Sequence, residues 1–95
     1  MSHSDRRIEE QILRMLGQRD PASSICPSDV ARALEDDEAA WRALMPRIRA
    51  VSADMQDADR LRITRGEQPV TRANLGDGHI RLRRGERFDS GRDQG

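Results

Sequence analysis

Apolar positions along this chain fall into three helical stretches followed by two alternating ones. Ile8, Ile12, Leu13 and Leu16 share one helical stripe with Met15 at its border, which predicts a first helix over residues 5–18. Ser4 is its N-cap, and Gly17 or the Arg19-Asp20-Pro21 stretch ends it. Residues 22–26 read as short and extended, with Ile25 pairing as a brief first strand. Pro27 then opens a second helix at the position where its missing N–H costs nothing. Ser28 and Asp29 sit in that first turn near the positive end of the dipole, and Val30 and Leu34 face inward. Beyond the acidic connector Glu35-Asp36-Asp37-Glu38, Trp41, Leu44, Ile48, Val51 and Met55 recur at spacings of three and four. This third helix has Trp41 as its core anchor. Pro46, on its outward side, predicts a kink or a break into 38–44 and 46–56.

Leu61-Arg62-Ile63-Thr64-Arg65 and His79-Ile80-Arg81-Leu82-Arg83 alternate with period two and predict paired strands. The segment 66–78 between them is too long for a tight turn and holds one helical turn over 71–75, closed by Gly76. Helix, strand, two helices and a hairpin, in that order, predict an α+β winged helix-turn-helix, a fold used most often to lay a helix into a DNA groove. Residues 1–4 are expected to be a flexible start, 5–87 the domain, and 88–95 a disordered tail.

Composition narrows the function more by exclusion than by signature. With 95 residues, 35% hydrophobic and 36% charged, the chain supports one modest core and no second domain. All 17 basic residues are arginine, so a Walker A loop, a pyridoxal phosphate Schiff base and any lysine nucleophile are excluded. Trp41 and Phe88 are the only aromatics, too few for a base-stacking platform of the single-strand or RNA-recognition kind. Met1 to Arg7 lead into charge, and no apolar run approaches spanning length, which predicts a cytoplasmic protein with neither signal peptide nor membrane association. The zero net charge conceals a polarity: residues 1–59 carry a net −4 and residues 60–87 a net +5. Any polyanion is therefore expected at the C-terminal segment.

Ile25-Cys26-Pro27-Ser28-Asp29-Val30-Ala31-Arg32-Ala33-Leu34, Trp41 with Leu44-Met45-Pro46 and Ile48-Arg49, Leu61-Arg62-Ile63-Thr64, Gln68-Pro69-Val70, and Gly78 with Ile80-Arg81-Leu82 together carry a family resemblance. At these residues the chain resembles the bacterial family filed as domain of unknown function 3253, over about residues 8–84. The resemblance implies a winged-helix fold and an expectation of DNA binding. It implies no activity, ligand or catalytic residue, and fold-level analogy is only a prior about function.

Five arginines are the candidate nucleic-acid contacts. With Leu61, Ile63, Ile80 and Leu82 facing the core, Arg62, Arg81 and Arg83 share the opposite strand face. Such crowded cations repel unless something anionic covers them, and either a DNA backbone or acidic side chains of the same protein would serve. On the third helix, Ala43, Ala50, Ala53, Asp54 and Asp57 occupy the centre of the exposed face, with Arg42, Arg47 and Arg49 towards its edges. Arg47 and Arg49 can reach guanine or phosphate, whereas Asp54, Asp57 and Asp59 would repel phosphates, and the alanine strip would suit a protein partner equally well.

The remaining chemistry is sparse. Cys26 borders a helix N-terminus, a place that can activate a thiol, but its neighbours Ile25 and Pro27 point to packing. One cysteine with His3 and His79 supplies no metal-ligand spacing, and the exposed carboxylates of 35–38 form no acid–base pair. No cofactor and no small-molecule substrate is implied. The sequence therefore supports a non-catalytic module whose partner is double-stranded DNA or, alternatively, another protein or a second copy of the chain.

Overall fold

The computed structural model describes residues 4–76 and 78–88. The expectations for residues 1–3, for Asp77 and for a tail over 89–95 lie outside the described residues. Helix α1, Asp5–Gly17, starts where the Ser4 hydroxyl accepts the Arg7 N–H at 3.1 Å, and it buries Ile8, Ile12, Leu13 and Leu16. Strand β1 is Ser24–Ile25, and helix α2, Pro27–Leu34, follows with Pro27 in its first turn. The Asp29 carboxylate accepts the Cys26 N–H at 3.0 Å, satisfying one donor at the helix entry. Helix α3 is Glu38–Asp57, capped by the Asp37 side chain, which accepts the Ala40 N–H.

The sheet comprises β2 (Leu61–Arg65), β3 (Gln68–Pro69) and β4 (Arg81–Arg84) together with β1, all antiparallel in the order β1-β4-β2-β3. A 3₁₀ turn, Arg72–Asn74, lies in the connection before β4, and Gly76 follows it at φ 57°. The hairpin differs from the sequence expectation. Residues 66–78 are not one open loop, because β2 turns back on β3 through Gly66 and Glu67 before the chain crosses to β4 on the other side of β2. Gly66, at φ 62°, takes the first central position of that two-residue turn, where a type II′ hairpin favours glycine. Strand β4 begins at Arg81, and Ile80 is already buried ahead of it.

One core joins the layers: Ile8, Ile12 and Leu16 from α1, Val30 from α2, Ile48, Val51 and Met55 from α3, and Ile25, Leu61, Ile63 and Leu82 from the sheet. The architecture is α+β, three helices packed on a small antiparallel sheet, and is compatible with a winged helix. No helix among the described residues is long and apolar enough to cross a membrane.

Two expectations for α3 are refined. Of the kink or break expected at Pro46, the break does not occur, and Pro46 lies within one continuous helix. Pro46 is solvent-exposed, so the carbonyl it leaves unbonded can be hydrated, and the buried turns after it hold the axis together. Pro46→Ala should raise stability by about 1–2 kcal/mol by restoring the N–H, measured as an upward shift in urea midpoint at unchanged slope. The burial phase also differs. Trp41 and Leu44 are half-buried at the margin of the core, whereas Ser52 and Ala53, with Ala53 expected outside, are buried. The reason is that α3 packs against α1, α2 and β2 together, so its C-terminal half is enclosed across three successive residues, 51–53. Ser52 satisfies its hydroxyl there by donating to the Ile48 carbonyl at 2.7 Å.

Candidate nucleic-acid interface

The arginines expected to meet phosphate occupy two different layers. Arg62, Arg81 and Arg83 lie on the sheet face turned away from the helices, Arg62 directly opposite Arg83. Arg47 and Arg49 belong to the helical layer. The two groups therefore do not form one continuous contact strip.

Most of the guanidiniums of the basic segment are already engaged. Arg81 donates through Nε to Ser24 Oγ at 2.8 Å, through Nη2 to the Ser24 carbonyl at 3.1 Å, and through Nη1 to Cys26 Sγ at 2.6 Å. Arg83 reaches the Ala22 carbonyl at 3.2 Å, and Arg84 reaches the carbonyls of Leu16 and Arg19 at 2.9 and 3.0 Å. These bonds fasten the segment entering β1 and the C-terminal end of α1 to β4, and they draw Arg81 and Arg83 towards the β1 edge. The Arg84 guanidinium also lies 4.5 Å from the centre of the Phe88 ring, which packs against the core, while Arg84 Nε is buried with no partner among the described residues. Arg60 pairs with Glu9 of α1 at 3.0 Å. The basic segment is thus fastened to the helical body mainly through neutral acceptors, with Arg60–Glu9 as a pair of opposite charges.

Arg62, exposed like Arg87, lines a depression that also contains the Arg72–Asp57 pair and the carboxylates Asp59 and Glu86. That neighbourhood disfavours a phosphate.

On α3, Ala43 and Ala50 are exposed as expected, with Arg42 and Arg47 beside them and Arg49 half-buried. Arg42 is bonded to Glu38 at 2.7 Å, Arg47 lies 3.6 Å from Asp5, and Arg49 donates to the Gly76 carbonyl at 3.3 Å. The Arg42–Glu38 and Arg47–Asp5 pairs are solvent-exposed ion pairs, a kind that contributes little to stability.

Two arginines that the sequence reading passed over shape the loop beside α3. Arg72 Nη2 bonds both Asp54, at 2.8 Å, and Asp57, at 2.6 Å. Donation to Asp57, then that to Asp54, raises the Arg72 pKa above its ordinary value, so the group stays cationic throughout the working range. Arg65 donates to the carbonyls of Asn74, Leu75 and His79, at 3.3, 2.5 and 3.3 Å, and so holds the two arms of the loop together. Neither role follows from local sequence, since each joins residues nine or more apart.

A family model described as protein of unknown function (DUF3253) matches residues 5–85, and the chain belongs to that family. No curated protein matches it.

Proposed function

Since membership of this family carries no activity with it, we propose from the geometry that the chain is a non-catalytic DNA-binding module of winged-helix type, possessing α3 as its reading element. The observation that carries this reading is the Arg72 clamp. Asp54 and Asp57, the acidic groups on α3 that would repel a phosphate backbone, share the Arg72 guanidinium, which cuts their two negative charges to one. What α3 then offers is Ala43 and Ala50, small enough for close approach to a groove, flanked by Arg42, Arg47 and Arg49. The Arg65-braced loop beside it takes the place of a wing. Arg81 and Arg83 serve the sheet, so phosphate contact falls to arginines of the helical layer.

The test is fluorescence anisotropy of a mixed-sequence duplex titrated with the protein at low and near-physiological salt. Three phosphate contacts give a log–log salt slope of about −2.7. Arg47→Glu with Arg49→Glu should weaken binding at least about tenfold, the scale of one lost charged contact, while Arg62→Glu leaves it within about twofold. No binding even at low salt overturns the reading.

The alternative, a protein-interaction module, rests on a different observation. Arginines of the basic segment are spent on internal bonds, in a chain whose net charge is zero and whose α3 exposes alanines. Under that reading Ala50→Trp disrupts association with a partner or a second copy, and duplex DNA is not bound.

A further inference from the structure

A cleft of about 760 Å³ opens where the start of α2, the first half of α3 and the arm of the loop leading into β4 meet. Pro27, Trp41, Met45, Pro46 and Ile80 line its apolar part. Its polar groups are cationic or neutral: Arg32, Arg42, Arg49 and His79 line it, and among the described residues no aspartate or glutamate does. In a chain with as many acidic as basic residues, a cavity with three lining arginines, of which Arg42 pairs with Glu38, and no lining carboxylate among the described residues leans towards positive charge.

The centre of that excess is Trp41. The guanidinium carbons of Arg32 and Arg42 stand 4.8 and 5.0 Å from its ring centre. Arg32 is exposed and has no ion pair among the described residues, and Arg42 shares only its Nε with Glu38. Both cations are thus held against the Trp41 ring with donor capacity left over, which suits each to a carboxylate or phosphate. The volume is that of a pocket for a small organic molecule, and mostly apolar walls with a few convergent charged groups are what such a ligand uses. A duplex backbone would satisfy the cations but would leave Met45 and Pro46 uncovered.

We propose that this cleft binds a small organic anion, its flat apolar body against Met45, Pro46 and the edge of Trp41 and its carboxylate or phosphate held by the cleft arginines Arg32 and Arg42. The inference does not depend on DNA binding. Trp41 is the sole tryptophan, so its indole N–H resonance reports the cleft alone. Titration of the full chain with 2-naphthoate and with 1-naphthyl phosphate should shift that resonance saturably, with Kd below about 1 mM. The relative affinity of the two probes identifies which anionic group the site prefers. Neutral 2-naphthylmethanol should bind at least about tenfold more weakly, and Arg32→Ala or Arg42→Ala should weaken both acids about tenfold, while Arg62→Ala changes neither. An indole resonance that does not move, equal affinity for the alcohol, or acid binding unchanged in both arginine variants would each overturn the proposal. So would Arg32→Ala abolishing duplex binding in a protein that binds neither acid, which would assign the cleft to DNA.

Discussion

Gly85→Ala should lower the melting temperature by about 12–24 °C, the equivalent of about 3 kcal/mol in a domain of this size. The effect is steric. A β-carbon on Gly85 would stand 2.8 Å from both the Arg60 carbonyl carbon and the Leu61 nitrogen, and closer still to the Asp59 carbonyl oxygen. Those are backbone atoms and cannot rotate aside as a side chain would. They belong to the turn that ends α3. Asp59 takes a left-handed conformation, φ 65°, and the N–H groups of Asp59 and Arg60 return to the carbonyls of Gln56 and Met55, each at 2.9 Å, as in a Schellman motif. The chain leaving β4 packs onto this turn: Gly85 N–H donates to the Arg60 carbonyl, and Arg87 N–H donates to the Asp59 carbonyl at 2.7 Å. Any side chain at position 85 must push the exit of β4 off the end of α3. Gly78→Ala is the control, since a β-carbon there meets only the Arg65 side chain at ordinary contact distance, 3.5 Å or more. Thermal unfolding followed by circular dichroism decides the matter, and equal melting temperatures for the two variants would refute the close approach.

Gln56→Ala should cost about 2–3 kcal/mol, a fall of about 10–20 °C, because one side chain closes two backbone gaps. Gln56 Oε1 accepts the Ile63 N–H at 2.7 Å, and its Nε2 donates to the Val70 carbonyl at 2.8 Å. Strand β3 is only Gln68–Pro69, and beyond it the Val70 N–H still reaches the Ile63 carbonyl at 2.9 Å. Gln56 supplies the partners that a longer strand would have given Ile63 N–H and Val70 C=O. Ile63 and Val70 are both buried, so water does not readily replace the lost bonds. Gln56→Leu separates hydrogen bonding from packing: it keeps the volume, removes both bonds, and should fall nearly as far as the alanine variant. Parental stability in Gln56→Leu would show that packing alone is what position 56 provides.

The elements of the fold were legible because local rules set them. The stripe of Ile8, Ile12, Leu13 and Leu16, the Ser4 cap, Pro27 at a helix start and the alternation of Leu61 and Ile63 all act within a few residues. The path of α3 was less legible. The spacing of its apolar residues located the helix, but which flank is enclosed depends on α1, α2 and β2 arriving from elsewhere, so Ala53 went inside and Trp41 stayed at the margin. Local propensity likewise marks Pro46 as a break, and only the buried turns that follow it override that preference.

The candidate site shows the same division more sharply. The sequence by itself determined that this chain is one arginine-only α+β domain, with an acidic helical body and a basic C-terminal segment, and which strand residues face in or out. It left the destination of each guanidinium open. An arginine side chain is long, carries five N–H donors and accepts carbonyl, hydroxyl and carboxylate oxygens alike, so its partner is fixed by whichever acceptor the fold brings within reach. Tertiary structure alone decided that Arg72 closes over Asp54 and Asp57, that Arg81, Arg83 and Arg84 fasten β4 to the segments around β1 and α1, and that Arg32 and Arg42 meet at Trp41. Periodicity is a property of neighbours along the chain, whereas these bonds join residues that become neighbours only when the layers close.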